Sequence, residues 1–304
     1  MVRRPDETAR PEYDSHLMGV RFRHPVMSPA DERRDFRSLD FRMTNSHAAM
    51  PSEADNSVPP TAPRGLTIPG LHAQLAPLVV AQIEGTESAQ PPRVLDLGAG
   101  PGGMSYRLQQ AGLEVEACDL FPELFQCPNV ACRRADAQQP LPYQSGRFDA
   151  VVAIEVVEHL ESQLALFGEV YRLLKPGGKF FFTTPNIASL KSRLSYLLTG
   201  YFYSHGPLDP DVDDPVSQHI GPTTPDRYRF LLARSGLKLK HLTTDRFQRS
   251  SLGLAWLVPL IWTLTRLKFS STPGTQMENA PGTLFGRTLV GVAQKGPEHL
   301  RRAA

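Results

Sequence analysis

The sequence predicts a doubly wound α/β fold built on a mostly parallel sheet. Three observations carry this expectation. Short apolar runs alternate with segments of helical periodicity from residue 68 onward. One run, Val94-Leu95-Asp96-Leu97, passes into a glycine-rich turn, Gly98-Ala99-Gly100-Pro101-Gly102-Gly103, that opens a helical pattern. Asp119 ends the next apolar run and Asp136 follows the one after it, and ligands of open parallel sheets bind at such strand ends.

Along the chain, residues 1–64 stand apart, with ten Arg, no Lys, ten acidic residues, eight Pro and no apolar period. Such a stretch cannot bury enough apolar surface to offset its ordering entropy. It is expected to be a disordered tail or the product of a start called too early, with Met43 or Met50 as the true start. The folded domain is then 65–304. Leu71, Leu75, Leu78, Val79 and Ile83 recur at helical spacing. Strands follow at 93–97, 115–119, 130–133 and 148–154, the last preceded by a Ser145-Gly146 turn. Helices are expected over 102–110, ended by Gly112, and over 160–174, stopped by Pro176-Gly177-Gly178. A strand at 179–184, a helix at 224–235 and strands at 237–243 and 284–293 complete the pattern.

Composition narrows the function classes. Lys and Arg number 33 against 31 acidic residues, so the net charge of +2 creates no strong field for nucleic acid. No basic stripe interleaved with aromatics appears either, which argues against a nucleic-acid partner. Cys118, Cys127 and Cys132 contain no CxxC pair, which excludes a disulfide scaffold and a zinc ribbon. No uncharged run reaches the roughly 20 residues of a spanning helix.

The glycines by themselves leave the ligand open, because Gly98, Gly100 and Gly103 also fit the dinucleotide pattern GxGxxG. The acids narrow it. Asp96, inside the strand and two residues before the first glycine, can hold a cationic group or a water network but sits poorly beside a pyrophosphate. Asp119 suits ribose hydroxyls and Asp136 suits an adenine amino group. A further landmark, Leu174-Lys175-Pro176-Gly177-Gly178, precedes the strand Phe180-Phe181-Phe182 and the run Thr183-Thr184-Pro185-Asn186.

With these landmarks in order, the chain from about Ile68 to Lys295 resembles the class I S-adenosylmethionine-dependent methyltransferases. The resemblance implies a Rossmann-like sheet of about seven strands with an antiparallel last strand and helical insertions. It implies S-adenosylmethionine as cofactor, with Gly98, Ala99, Gly100 and Gly102 under its methionine part. It implies Asp119 on the ribose and Asp136 with Ala137 near the adenine. Asp96, Leu120 and Glu155 complete the expected cofactor-binding set.

After the 148–154 strand comes Glu155-Val156-Val157-Glu158-His159. This segment resembles a motif of ubiquinone-type O-methyltransferases and of small-RNA 2′-O-methyltransferases, which with a later His can hold a divalent cation. The later His here is His219. Glu155, Glu158, His159 and His219 are therefore candidate ligands for Mg²⁺, Mn²⁺ or Zn²⁺. In a helix Glu155 and His159 would share a face. His159 and His219 are equally candidate catalytic bases without a metal, and a helix-capping role for His159 is the plain alternative.

Two insertions should shape the substrate site. Residues 190–225 contain Tyr201, Tyr203 and His205 and an acidic end of Asp209, Asp211, Asp213 and Asp214, as a lid or a solvated loop. Residues 250–265 carry no charge, hold Trp256 and Trp262, and are broken by Pro259. With Arg249, Arg266 and Lys268 flanking them, they suit peripheral contact with a membrane, or packing on the core or a second copy. The expected function is methyl transfer to an oxygen of a small or lipid-linked acceptor, a glycan or surface-polysaccharide precursor being favoured. The expected location is cytoplasmic, with peripheral contact on the inner membrane face. A ubiquinone-type phenol methyltransferase, a metal-dependent RNA 2′-O-methyltransferase and a non-catalytic binding protein are the alternatives.

Overall fold

A computed structural model describes residues 63, 67–83, 90–212, 216–269 and 275–296. The segment expected to be a tail lies outside these residues, Pro63 excepted, as do Asp213 and Asp214.

The strands are β1 (Arg93–Leu97), β2 (Glu114–Asp119), β3 (Cys132–Arg134), β4 (Phe148–Ile154), β5 (Leu174–Pro185), β6 (Leu237–Thr244) and β7 (Thr288–Lys295). They form one seven-stranded sheet in the order β3-β2-β1-β4-β5-β7-β6. Strands β1 to β5 pair in parallel, and β7 runs antiparallel to both β5 and β6. The chain winds outward from β1 through β2 to β3, then returns to β4 on the other side of β1. The point where the winding reverses lies between β1 and β4, and the crevice beyond their carboxyl ends is where such a sheet binds a ligand.

The apolar runs are nearly continuous because the central strands are buried on both faces. In β4, Val151 and Ala153 join one core cluster while Ala150, Val152 and Ile154 join the opposite one. Helices α1 (Leu71–Ile83) and α2 (Gly103–Gln110) cover the second face through Leu71, Val79, Met104 and Leu108. Helices α3 (Gln163–Leu173) and α5 (Pro225–Arg234) cover the first through Phe167, Val170, Tyr228 and Leu232. Between them lies α4 (Leu190–Thr199). After β6 come α6 (Arg249–Leu252), α7 (Val258–Phe269), α8 (Thr275–Glu278) and α9 (Pro281–Phe285).

Three element starts move by three residues or more from the sequence expectation. Helix α3 begins at Gln163, because residues 157–159 form a tight 3-10 turn, Leu160 is extended and the Ser162 hydroxyl accepts from Ala165 N–H. Strand β5 begins at Leu174, so Pro176-Gly177-Gly178 lies within the strand as an irregularity. Strand β7 begins at Thr288, with Leu284 in α9. Pro259 does not break a helix; it stands in the first turn of α7, where its missing N–H costs nothing.

Candidate functional site

The glycine loop leaves β1 at the point where the sheet winding reverses. Gly98 N–H donates to Cys118 O at 2.8 Å, so the loop starts as a continuation of the β1–β2 pairing. Gly98 has φ +70°, and a Cβ there would strike the Val156 side chain. The loop is therefore packed directly against the segment that follows β4. Gly100 has φ +51° and would point its Cβ into open space. A side chain there meets no protein atom. Ala99 is buried, and Gly102 immediately precedes the α2 N-terminus.

Two acids hold this loop. Asp96 is buried and accepts the Ser105 hydroxyl at 2.6 Å, tying β1 to α2. Burial pushes its carboxyl up to about 6, against the Ser105 bond that lowers it. Asp119 ends β2, with one oxygen accepting Gly100 N–H at 2.8 Å and the other accepting Phe121 N–H at 2.8 Å. The half-buried Leu120 follows, its carbonyl taken by Arg134. Ala135 N–H donates to Asp119 O at 2.9 Å, which keeps the half-buried Asp136 and Ala137 beside the end of β2. Asp136 itself caps the following turn by accepting Gln138 N–H at 2.8 Å. All the expected cofactor residues from Asp96 to Ala137 thus gather at the carboxyl ends of β1, β2 and β3.

The segment after β4 departs from expectation. Glu155 has φ +54° and donates its N–H to the Thr183 hydroxyl. This sharp turn ends the strand without starting a helix, so Glu155 and His159 do not share a helical face. Burial raises the Glu155 carboxyl, while Arg287 and the Ile68 backbone lower it. Glu155 thus faces the β7 side, and among the described residues the group able to hold a metal is Glu158, His159 and His219, with candidate ligand atoms within 4.8 Å of one another. Glu155 is not a member of this group.

His159 and His219 meet edge to face with ring centroids 4.9 Å apart. The Nδ1 of His159 lies 2.9 Å from Gln218 O, and the Nδ1 of His219 lies 2.9 Å from Ser204 O. A carbonyl only accepts, so each Nδ1 carries the proton and each Nε2 is the acceptor nitrogen. Loop bonds fix both rings. The Gln163 amide donates to Val157 O and to Gly221 O, Gly221 N–H donates to Glu158 O, and the Gln218 side chain clasps the Asp209 backbone. Sequence reasoning missed Gln163, and nothing in its spacing marks it.

Glu158 is fully buried, and neither carboxylate oxygen has a hydrogen-bond partner among the described residues. Burial pushes it up to about 8. An orphaned buried carboxyl with a nitrogen of each of two imidazoles within 4.8 Å is a donor set that fits a divalent cation. Imidazoles favour Zn²⁺ or Mn²⁺ over Mg²⁺.

A third imidazole joins the pair. The His205 ring centroid is 5.1 Å from that of His219, and its Nε2 is buried without a partner among the described residues. Burial, then the neighbouring His219 and His159, lower it to about 4. His205 was visible in the sequence within the expected lid, but nothing there linked it to His219. Asn186, at the end of the Thr183-Thr184-Pro185-Asn186 run, is spent on structure. Its amide donates to Thr283 O and Gly286 O and accepts Ala188 N–H.

A family profile described as a methyltransferase domain matches residues 71–242, more than half of the chain. Among curated proteins, "Ubiquinone biosynthesis O-methyltransferase" of Xanthomonas oryzae pv. oryzae (strain PXO99A) is 38% identical over 103 residues, covering 31% of this chain and 43% of that protein. The protein of the same name from Xanthomonas euvesicatoria pv. vesicatoria (strain 85-10) is 36% identical over the same coverage. The match thus spans less than half the length of these curated relatives. Among solved structures, a SAM dependent methyltransferase from Archaeoglobus fulgidus aligns with 72% of this chain and 94% of its own, at 19% identity and a TM-score of 0.47. An S-adenosylmethionine dependent methyltransferase from Mesorhizobium loti aligns with 71% and 96%, at 16% identity and a TM-score of 0.43.

Proposed function

Because the chain belongs to the methyltransferase-domain family, we propose that it transfers a methyl group from S-adenosylmethionine to the hydroxyl of a small aromatic acceptor. The observation that carries this reading is the pair His159 and His219. Both Nδ1 protons are committed to carbonyls, and the His159 ring, which His219 meets edge to face, follows β4 in the segment whose Val156 packs against the glycine loop.

In this reading Gly98 to Gly102 admit the methionine part of the cofactor, Asp119 holds the ribose and Asp136 with Ala137 borders the adenine. When bound, S-adenosylmethionine supplies an electrophilic methyl on a sulfonium. The chain's own work is to align an acceptor oxygen with that methyl and to take its proton on the Nε2 of His159 or His219. Acidity decides among acceptors. A phenol ionises near pH 10, about 3 to 4 units above imidazole, and so lies within reach of a histidine base. A sugar hydroxyl is far weaker as an acid. The names of the curated relatives point the same way as the phenol.

In place of the proton-accepting role, the same two imidazoles with Glu158 would hold a divalent cation, which as a Lewis acid would lower the acceptor's pKa. The test is transfer of a labelled methyl group to a panel of catechols, phenols and sugars, with and without EDTA. Label on phenolic oxygen supports the reading, and label on sugars alone overturns it. Full activity after chelation removes the cation.

A further inference from the structure

Helices α4 and α7 pack on a small satellite core of Leu190, Val258 and Leu284, with Leu254, Ile261 and Phe285 against it. In the segment 252–269 the protein-facing stripe is narrow: Leu254, Leu257, Val258, Ile261 and Thr265. The rest of this apolar segment is exposed. Trp256 is 72% exposed and Leu267 78%, with Leu252, Leu260, Trp262, Leu264 and Phe269 also open to solvent. On α4, Leu197 is 79% exposed, with Tyr196 and Leu198 beside it. A helix that is apolar on nearly every side and buried on one is covered by something other than water. No described helix is long and apolar enough to cross a membrane.

We propose that this face docks on an anionic lipid surface. Charge selects the occupant. From Arg249 to Phe269 every charged residue is basic, namely Arg249, Arg266 and Lys268. Two copies meeting through this segment would bring their cations together with no acid between them, whereas anionic headgroups pair them. The indoles suit the boundary of headgroup and hydrocarbon. Trp262 keeps its Nε1–H on Asn279 O at 3.0 Å while its ring lies open. The lipid contact is independent of which acceptor is methylated. Helix α4 leads straight into the loop that carries His205 and His219, so docking would bring that loop close to the bilayer.

Both tryptophans of the chain lie in this segment, so intrinsic fluorescence of the full chain reports the contact without background. Vesicles of phosphatidylglycerol mixed with phosphatidylcholine should shift the emission to the blue. They should bind about tenfold or more tightly than pure phosphatidylcholine, the difference collapsing in high salt. The variant L260E/L267E changes exposed side chains and keeps both indoles; it should lose the shift with unchanged circular dichroism. R266Q/K268Q should lose the anionic preference. No shift with either vesicle, equal binding to both, or undiminished binding by L260E/L267E overturns the proposal. So does an emission already blue in buffer together with a dimeric mass by light scattering, which would assign the face to a second copy.

Discussion

Asp119 clasps the glycine loop through Gly100: its Oδ2 accepts the Gly100 N–H at 2.8 Å while its Oδ1 accepts Phe121 N–H. One carboxylate at the end of β2 thus sets the loop that leaves β1. Asp119→Ala should weaken S-adenosylmethionine binding by about 10- to 100-fold, the loss of one or two hydrogen bonds to a charged acceptor. Asp119→Asn keeps part of the acceptor and should fall between. Calorimetric titration reads both, and unchanged affinity in the alanine variant refutes the ribose role.

Gly98 and Gly100 should separate folding from binding. An alanine at Gly98 meets both a positive φ and the Val156 side chain, so Gly98→Ala should cost about 2 to 4 kcal/mol of stability. Gly100→Ala meets open space and should cost only about 1 kcal/mol, yet reduce cofactor affinity at least as much as Asp119→Asn. Denaturant melts paired with titrations test this. Equal affinity of Gly100→Ala and the parent would contradict the cradle.

Glu158 makes stability depend on pH. Its folded pKa of about 8 lies above its ordinary value of 4.5. Between those values the folded state keeps a proton that the unfolded chain has released, so stability falls as pH rises and levels off above about 8. Glu158→Gln removes this dependence and should be more stable than the parent at pH 8, by on the order of a few kcal/mol. Melting temperatures in EDTA between pH 6.5 and 8 read it, above the windows in which Asp96 and His205 titrate. Parallel curves for the two proteins would refute it. A bound divalent cation would reverse the sign by holding the carboxylate ionised.

His159→Ala and His219→Ala should each lower kcat by about 100-fold or more and leave cofactor affinity within about twofold. A loss seen in KM for the acceptor with kcat intact would assign the rings to positioning alone. His205→Asn should have a smaller effect, exerted through His219, whose ring it adjoins.

The fold was legible where burial is two-sided or a turn is chemically marked. Strand β4 matches its expected bounds because every residue from Phe148 to Ile154 feeds one core or the other, apart from Asp149. The glycine loop is marked by its own composition. The histidine cluster was legible only in part. Glu155 does not pair with His159 on a helical face, because a positive-φ turn breaks the helical spacing on which that pairing rested. His205 was missed because its approach to His219 depends on loop closure. That closure is held by the His219 Nδ1 contact with Ser204 O and by the Gln218 clasp on Asp209, and no local period encodes such contacts.

In the proposed function the glycine loop and Asp119 bind S-adenosylmethionine for methyl transfer. The direct test is isothermal titration of the full chain with S-adenosylmethionine, followed by the Asp119→Ala variant. Saturable micromolar binding, weakened about tenfold or more in the variant, is the predicted result. No heat of binding at millimolar cofactor, or equal binding by both proteins, would contradict it.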